Sequence, residues 1–153
     1  MNFMDTLNQN MGAIERPPLI PIGTYLFSIK KVPVIETIGQ GKWDVLDFML
    51  KLEQPREDVD PAALEAFGGL KNTYTRHRFM FSKEDEAAFA RTLFNVKRFI
   101  EDHLQIPNAA NMSLKEAINS TVNSNGLVTI GWRVDKDDPE VMYAEVKRTA
   151  PVE

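Results

Sequence analysis

The chain has 153 residues, 43% hydrophobic and 26% charged, which is typical of one globular domain with a sizeable core and not of a disordered protein. No apolar run approaches the roughly 20 residues that cross a bilayer, and residues 1–10 lack the basic start and apolar run of a signal peptide. Cysteine is absent, which excludes disulfides and thiolate-ligated metals and fits a cytoplasmic location. The formal net charge of −4 argues against a protein that coats duplex DNA by charge alone.

Residues 1–22 predict an N-terminal arm ahead of the domain. A short amphipathic helix is indicated by four apolar residues at helical spacing, namely Phe3, Met4, Leu7 and Met11. Three prolines between residues 16 and 21 prevent this helix from continuing, so an extended linker follows it. The globular domain is predicted to span residues 23–153.

Five strands are predicted in this domain from alternation and from turn residues. They are Thr24–Val32, Trp43–Leu52, Lys71–Phe81, Leu127–Val134 and Val141–Arg148. The glycines at 39 and 41 predict a hairpin loop over residues 36–42 between the first two strands. In the fourth strand, Trp132 is expected to point into the core with Val128 and Ile130.

Helices are predicted at three places between these strands. A short one has Asp60 as N-cap and ends at Gly68 and Gly69. The strongest starts at Ser82, which forms a capping-box-like pattern with Asp85. Its apolar stripe consists of Phe89, Leu93, Val96 and Ile100. A further short helix is expected from Ser113.

The resulting order is strand, strand, strand, long helix, strand, strand. This order predicts a mainly β fold, a five-stranded OB-type barrel with one long helix between the third and fourth strands. Other α+β arrangements share the same order of elements.

Residues that would support catalysis are sparse in this sequence. His77 and His103 lack the spacing of paired metal ligands, so a structural role is favoured for each. The acidic segment 135–140 lacks the glycine and the final Glu of a calcium loop and is interpreted as a solvated hairpin tip. We therefore expect no enzyme activity, metal or cofactor.

Basic and aromatic side chains coincide on the predicted outer face of the barrel. That face carries Lys30, Lys51, Arg76, Arg78, Arg133 and Lys147 against Asp47 and Glu145. Proteins that bind single strands combine such a positive groove with aromatic rings on which bases stack. The predicted nucleic-acid contacts are Lys30, Lys42, Trp43, Tyr74, Arg76, Arg78 and Arg133. We expect the acidic hairpin tip to lie off the path of the nucleic acid.

Several short stretches are shared with a known group of proteins. They are Pro21–Tyr25, Asp47–Lys51, Phe79–Ile106, Tyr143–Val146 and Thr149–Pro151. In these stretches the chain resembles the small OB-fold single-stranded DNA-binding proteins of tailed bacteriophages. The resemblance implies an accessory of replication or recombination that protects single strands in the host cytoplasm without base specificity. The sequence departs from many such proteins in ending without a long acidic tail, so recruitment of partners through a tail is not expected.

Two functional hypotheses follow from these observations. The first is sequence-tolerant binding of single-stranded DNA. The alternative is a protein-interaction or virion-structural module built on the same barrel, in which the apolar arm docks on a partner or on a second copy of the chain.

Overall fold

The computed structural model describes residues 2–152 and shows a mainly β protein with one six-stranded antiparallel sheet. The strands are β1 (Gly23–Ser28), β2 (Val34–Ile38), β3 (Trp43–Pro55), β4 (Tyr74–Ser82), β5 (Asn125–Val134) and β6 (Met142–Ala150). The helices are α1 (Phe3–Thr6), α2 (Pro61–Phe67), α3 (Glu86–Arg98) and α4 (Leu114–Asn119). Short 3₁₀ turns occur at Met11–Ala13 and Ala109–Asn111, and α3 continues into a π-helical turn at Phe99–His103.

The long strand β3 organises the sheet. Its residues 43–51 pair with β4 along one edge. Along the other edge, its start pairs with β2 and its end pairs with β1. β1 then pairs with β5, and β5 with β6. β4 and β6 approach each other within 8 Å between Cα atoms, but within residues 2–152 no strand pairing joins them, so the sheet is open.

The strand β2 corrects the predicted loop over residues 36–42. The strand occupies Val34–Ile38, and only residues 39–42 form the turn to β3. Val34–Thr37 are all exposed, so this segment lacks the alternation by which a half-buried strand is recognised in sequence. The first predicted strand also ends earlier, at Ser28, because Ile29 bonds through its backbone to the loop at 123–124 that precedes β5.

The core lies between the inner face of the sheet and the end of α3 with the π-helical turn that follows it. Phe99 is central to it: its ring contacts those of Phe27, Phe48 and Phe79 at centroid distances of 6.4, 4.9 and 5.6 Å. Val96 and Ile100 are buried beside it. Of the predicted apolar stripe, the two remaining members, Phe89 and Leu93, stay about 40% exposed, although the Phe89 ring lies 5.2 Å from that of Phe81 in β4.

The helix starts were predicted with mixed success. Asp60 and Ser113 cap α2 and α4 as predicted. The start of α3 is shifted from Ser82 to Glu86, and Asp85 is its N-cap, accepting a hydrogen bond from the Ala88 amide. Ser82 still ends β4, and its hydroxyl accepts bonds from the next turn.

The prediction that Trp132 points into the core is wrong. It is 40% exposed, and its indole N–H donates to the Ile20 carbonyl at 2.8 Å. The reason lies in the register: Gly23, the first residue of β1, pairs with Ile130, so β5 extends past the end of the core.

The predicted arm leads up to this contact. Residues 2–18 are all exposed, and the chain is first held by the Trp132 bond to Ile20 and by the Tyr25 hydroxyl, which donates to the Pro21 carbonyl at 2.7 Å. Within the part of the chain described, none of the helices has both the length and the apolar composition needed to cross a membrane.

Candidate nucleic-acid interface

The outer face of the β3–β4 ladder carries a row of cross-strand pairs. Lys51 lies opposite Tyr74, Met49 opposite Arg76, and Asp47 opposite Arg78. Successive side chains of a strand alternate between faces, so these residues point away from the core that Phe48 and Leu50 enter. The ladder therefore brings three of the predicted contacts, Tyr74, Arg76 and Arg78, onto one surface.

Tyr74 and Arg76 are available to a ligand. The Tyr74 ring is 41% exposed, and Arg76 and Met49 beside it are exposed as well. Neither Arg76 nor Lys51 makes a salt bridge with any carboxylate of residues 2–152. We call Met49, Lys51, Tyr74 and Arg76 the outer patch. Its two cations are therefore not held by a carboxylate of the described chain.

Arg78 lies in the same row, but its guanidinium is already paired with carboxylates of the protein. Its Nε donates to Asp47 Oδ1 at 2.9 Å and its terminal nitrogen donates to Oδ2 at 3.2 Å. Glu36 of β2 is 3.7 Å away on its other side. The hydrogen bond that Arg78 donates to Asp47 is the main reason that the pKa of Arg78 is raised. Two carboxylates thus compensate this guanidinium, and Arg78 ties β2, β3 and β4 together.

Lys30 follows the end of β1, the strand that pairs with β3 beside the outer patch. It is exposed and follows Ser28 by two residues, and Ser28 is paired with Lys51 across the β1–β3 ladder. The Ser28 hydroxyl donates to Glu53 at 2.5 Å, so this carboxylate is engaged on the same face. No carboxylate of the described chain lies within salt-bridge distance of Lys30.

Trp43 and Lys42 lie at the turn between β2 and β3. Trp43 is half-buried with its ring against Gly39, where an added Cβ would come within 3.0 Å of Trp43 Cδ1. Gly39 also has a φ of +62°, which favours glycine. The Trp43 ring therefore packs directly on the backbone of the turn. Lys42 is exposed, and its carbonyl accepts a bond from the Lys83 amide. The structure therefore separates these two residues from the outer patch.

Arg133 belongs to a second surface, the outer face of the β5–β6 ladder. Its guanidinium bonds Glu145 at 2.9 Å and lies 5.4 Å from the centre of the Tyr143 ring. Lys147 bonds the same carboxylate at 2.7 Å, and this bond is the first cause of the lowered pKa of Glu145. Tyr143 is 44% exposed and was not predicted as a contact, although its place in a strand beside Arg133 is visible once the register is known.

The two histidines belong to the core and its rim. The His77 ring lies 4.5 Å from that of Phe79 and 4.9 Å from that of Phe99, and burial lowers its pKa to about 4. His103 Nδ1 is 2.7 Å from the Thr149 hydroxyl. Within residues 2–152, no three His, Cys, Asp or Glu side chains form a group that could hold a metal ion.

A comparison with protein-family models gives no match, and a comparison with curated proteins gives no significant match. Function is therefore inferred from the side chains of the outer surface and from the topology beneath them.

Proposed function

We propose that this protein binds single-stranded DNA, without base specificity, on the outer face of the β3–β4 ladder. The observation that carries the proposal is the exposed Tyr74 beside two cations that make no salt bridge, Lys51 and Arg76. An exposed ring offers a stacking surface to any base, worth about 1–3 kcal/mol per base, and neighbouring cations bind the phosphates. The protein acts as a binder and not as an enzyme.

The proposal includes an OB-type barrel with an open seam. β1 and β2 run along the same edge of β3, so they correspond to one long strand interrupted at residues 29–33. With that correspondence, the order of strands and of α3 is that of the five-stranded OB barrel, and the approach of β4 to β6 marks its seam. In OB barrels the second and third strands form the binding face, and these correspond to β3 and β4.

The contacts within the predicted set are not equal. Lys30, Tyr74 and Arg76 belong to the proposed site, and Lys51 joins them. Arg78 and Arg133 contribute less because carboxylates already hold them. Trp43 and Lys42 lie at a turn, so only bound DNA that extends beyond the outer patch would contact them.

The cellular role follows from the resemblance to phage single-stranded DNA-binding proteins. We propose an accessory of DNA replication or recombination that acts in the cytoplasm of the host cell. A protective role of this kind requires tolerance of sequence, which stacking provides because every base has an aromatic face.

The test is fluorescence anisotropy of a labelled oligo-dT with the full chain, and with a duplex of equal length for comparison. Tyr74→Ala and Arg76→Met should each weaken binding about tenfold or more, as the loss of one stacked base or one phosphate contact predicts. Tyr143→Ala is the matched control, because Tyr143 is equally exposed on the other outer face. Binding that survives both patch substitutions, or that is lost only with Tyr143→Ala, contradicts the proposed face.

One observation favours the alternative of a protein-interaction or virion-structural module. The arm exposes Phe3, Met4, Leu7 and Met11 to solvent. Apolar side chains so placed are typical of segments that dock on a protein.

A further inference from the structure

A second apolar surface lies on the helical side of the molecule. Residues 90–101, from α3 and the turn that follows it, line a groove of about 420 Å³ together with the segment 109–117. Its apolar walls are formed by Leu93, Phe94, Ile100, Met112 and Leu114, with several alanines between them. Phe94 and Leu114 are 56% and 45% exposed, and no other segment of the described chain covers them.

The charges in this groove do not call for a charged partner. Lys97 and Glu101 are the only charged residues that line it, and they bond each other at 2.7 Å. An apolar segment with little charge of its own is the complementary occupant.

The N-terminal arm has this composition. Phe3 and Met11 are 75% and 83% exposed, and Met4 and Leu7 are exposed between them. Asp5 is the one charged residue between positions 2 and 14. The chain thus exposes both an apolar segment and an apolar groove, each without a partner in the single molecule.

The arm joins the domain at the end of β5 that lies opposite to the end following α4. The arm is tied at Ile20 to Trp132, near the end of β5, whereas α4 ends at Asn119, just before β5 begins. These two ends of β5 are about 23 Å apart at about 3.3 Å per residue. The nine residues from Met11 to Ile20 span at most about 30 Å when fully extended, which leaves little length for the path around the sheet.

We infer that the arm, residues 3–11, docks into the α3–α4 groove of a second copy of the chain. Reciprocal exchange of two arms forms a closed two-fold dimer in which each copy supplies one segment and one groove. This inference is independent of the proposed DNA binding, since neither surface includes the outer patch.

The absence of cysteine from the 153 residues permits a direct test with the whole chain. A Leu7→Cys chain is mixed with a Leu114→Cys chain that carries a size tag, and disulfide formation is followed by electrophoresis. The docked arm raises the local thiol concentration, so the mixed dimer should form about tenfold faster than in the control mixture of Leu7→Cys with Glu65→Cys. Glu65 is exposed on α2, away from the groove.

Equal rates in the two mixtures overturn the inference. A Leu7→Cys/Leu114→Cys double variant that yields only an internally linked monomer also overturns it, because the arm then occupies the groove of its own chain.

Sedimentation of the parent chain, which has no cysteine, gives a second readout that does not depend on crosslinking. The parent should sediment as a dimer at high micromolar concentration, and Phe94→Asp should raise the dissociation constant about tenfold or more by placing a charge in the groove. Asn95→Asp, on the neighbouring exposed position outside the groove, should leave the dimer intact. A monomeric parent, or equal effects of the two substitutions, contradicts the proposed dimer.

Discussion

His77 is an ionisable, partly buried ring that packs against Phe79 and Phe99. Burial, and secondarily the charge of His103, lowers its pKa from 6.5 to about 4 in the folded protein. Above about pH 6.5 the ring is neutral in both states, and this part of the stability is fully present. As the pH falls from 6.5 towards 4, the unfolded chain takes up a proton that the folded chain does not. We expect the free energy of unfolding to drop by about 3 kcal/mol over this window.

Urea unfolding at a series of pH values measures this loss. His77→Phe keeps an aromatic ring in the core and should give a flatter dependence on pH. His103→Gln is the companion variant, since burial also lowers the pKa of His103 and it contributes in the same direction. If His77→Phe loses stability with pH as steeply as the parent, the proton uptake must be assigned to another group.

At the scale of elements, a strand could be predicted from the sequence when one of its faces was buried and the other was exposed. β3 and β4 alternate because one side of each meets the core, and both were predicted. β2 was missed because its residues are exposed on both faces and its place in the sheet depends on pairing with β3 alone. The apolar spacing of the helix predicted the burial of Val96 and Ile100, but it did not identify Phe99, which packs on Phe27 and Phe48 from the π-helical turn.

The candidate site was predictable to the same extent. Alternation in β4 identified Tyr74 and Arg76 as outward residues, which the structure shows them to be. The capture of Arg78 by Asp47 depends on the register between two strands separated by the insertion that contains α2. Local sequence does not reveal that register, so a compensated arginine and an uncompensated one look alike.

The pairing of β3 with β4 through Arg78 leads to a stability prediction. The Asp47 side chain is only 6% exposed, so removing its partner leaves a buried carboxylate without compensation. We expect Arg78→Met to lower the free energy of unfolding by about 2–3 kcal/mol, and Arg76→Met to change it by less than about 0.5 kcal/mol.

The two variants form a matched pair, because both residues lie on the same face of β4, two positions apart. Urea unfolding at neutral pH measures both. Equal losses of stability would show that the Asp47 bond does not hold the ladder. Asp47→Asn in the Arg78→Met background should recover part of the loss, since the buried charge is then removed.

At the scale of the whole molecule, a net charge of −4 coexists with a cationic face. Most of the charged side chains that flank the ladders are paired, including Arg78 with Asp47 and Arg133 with Glu145. The acidic tip at 135–140 is exposed between β5 and β6. Next to these pairs, Lys30, Lys51 and Arg76 make no salt bridge within residues 2–152, so they remain available to phosphates whatever the total charge.

The salt dependence of the binding constant reports how many of these cations contact phosphates. For a single strand, the logarithm of the binding constant falls with the logarithm of salt concentration with a slope of about −0.7 for each phosphate neutralised. Contacts from Lys30, Lys51 and Arg76 predict a slope of about −2 for the parent, and Arg76→Met should reduce its magnitude by about 0.7. Arg133→Met should change the slope less than Arg76→Met does, because Glu145 already bonds that guanidinium. A slope that responds to Arg133→Met and not to Arg76→Met would place the nucleic acid on the β5–β6 face instead.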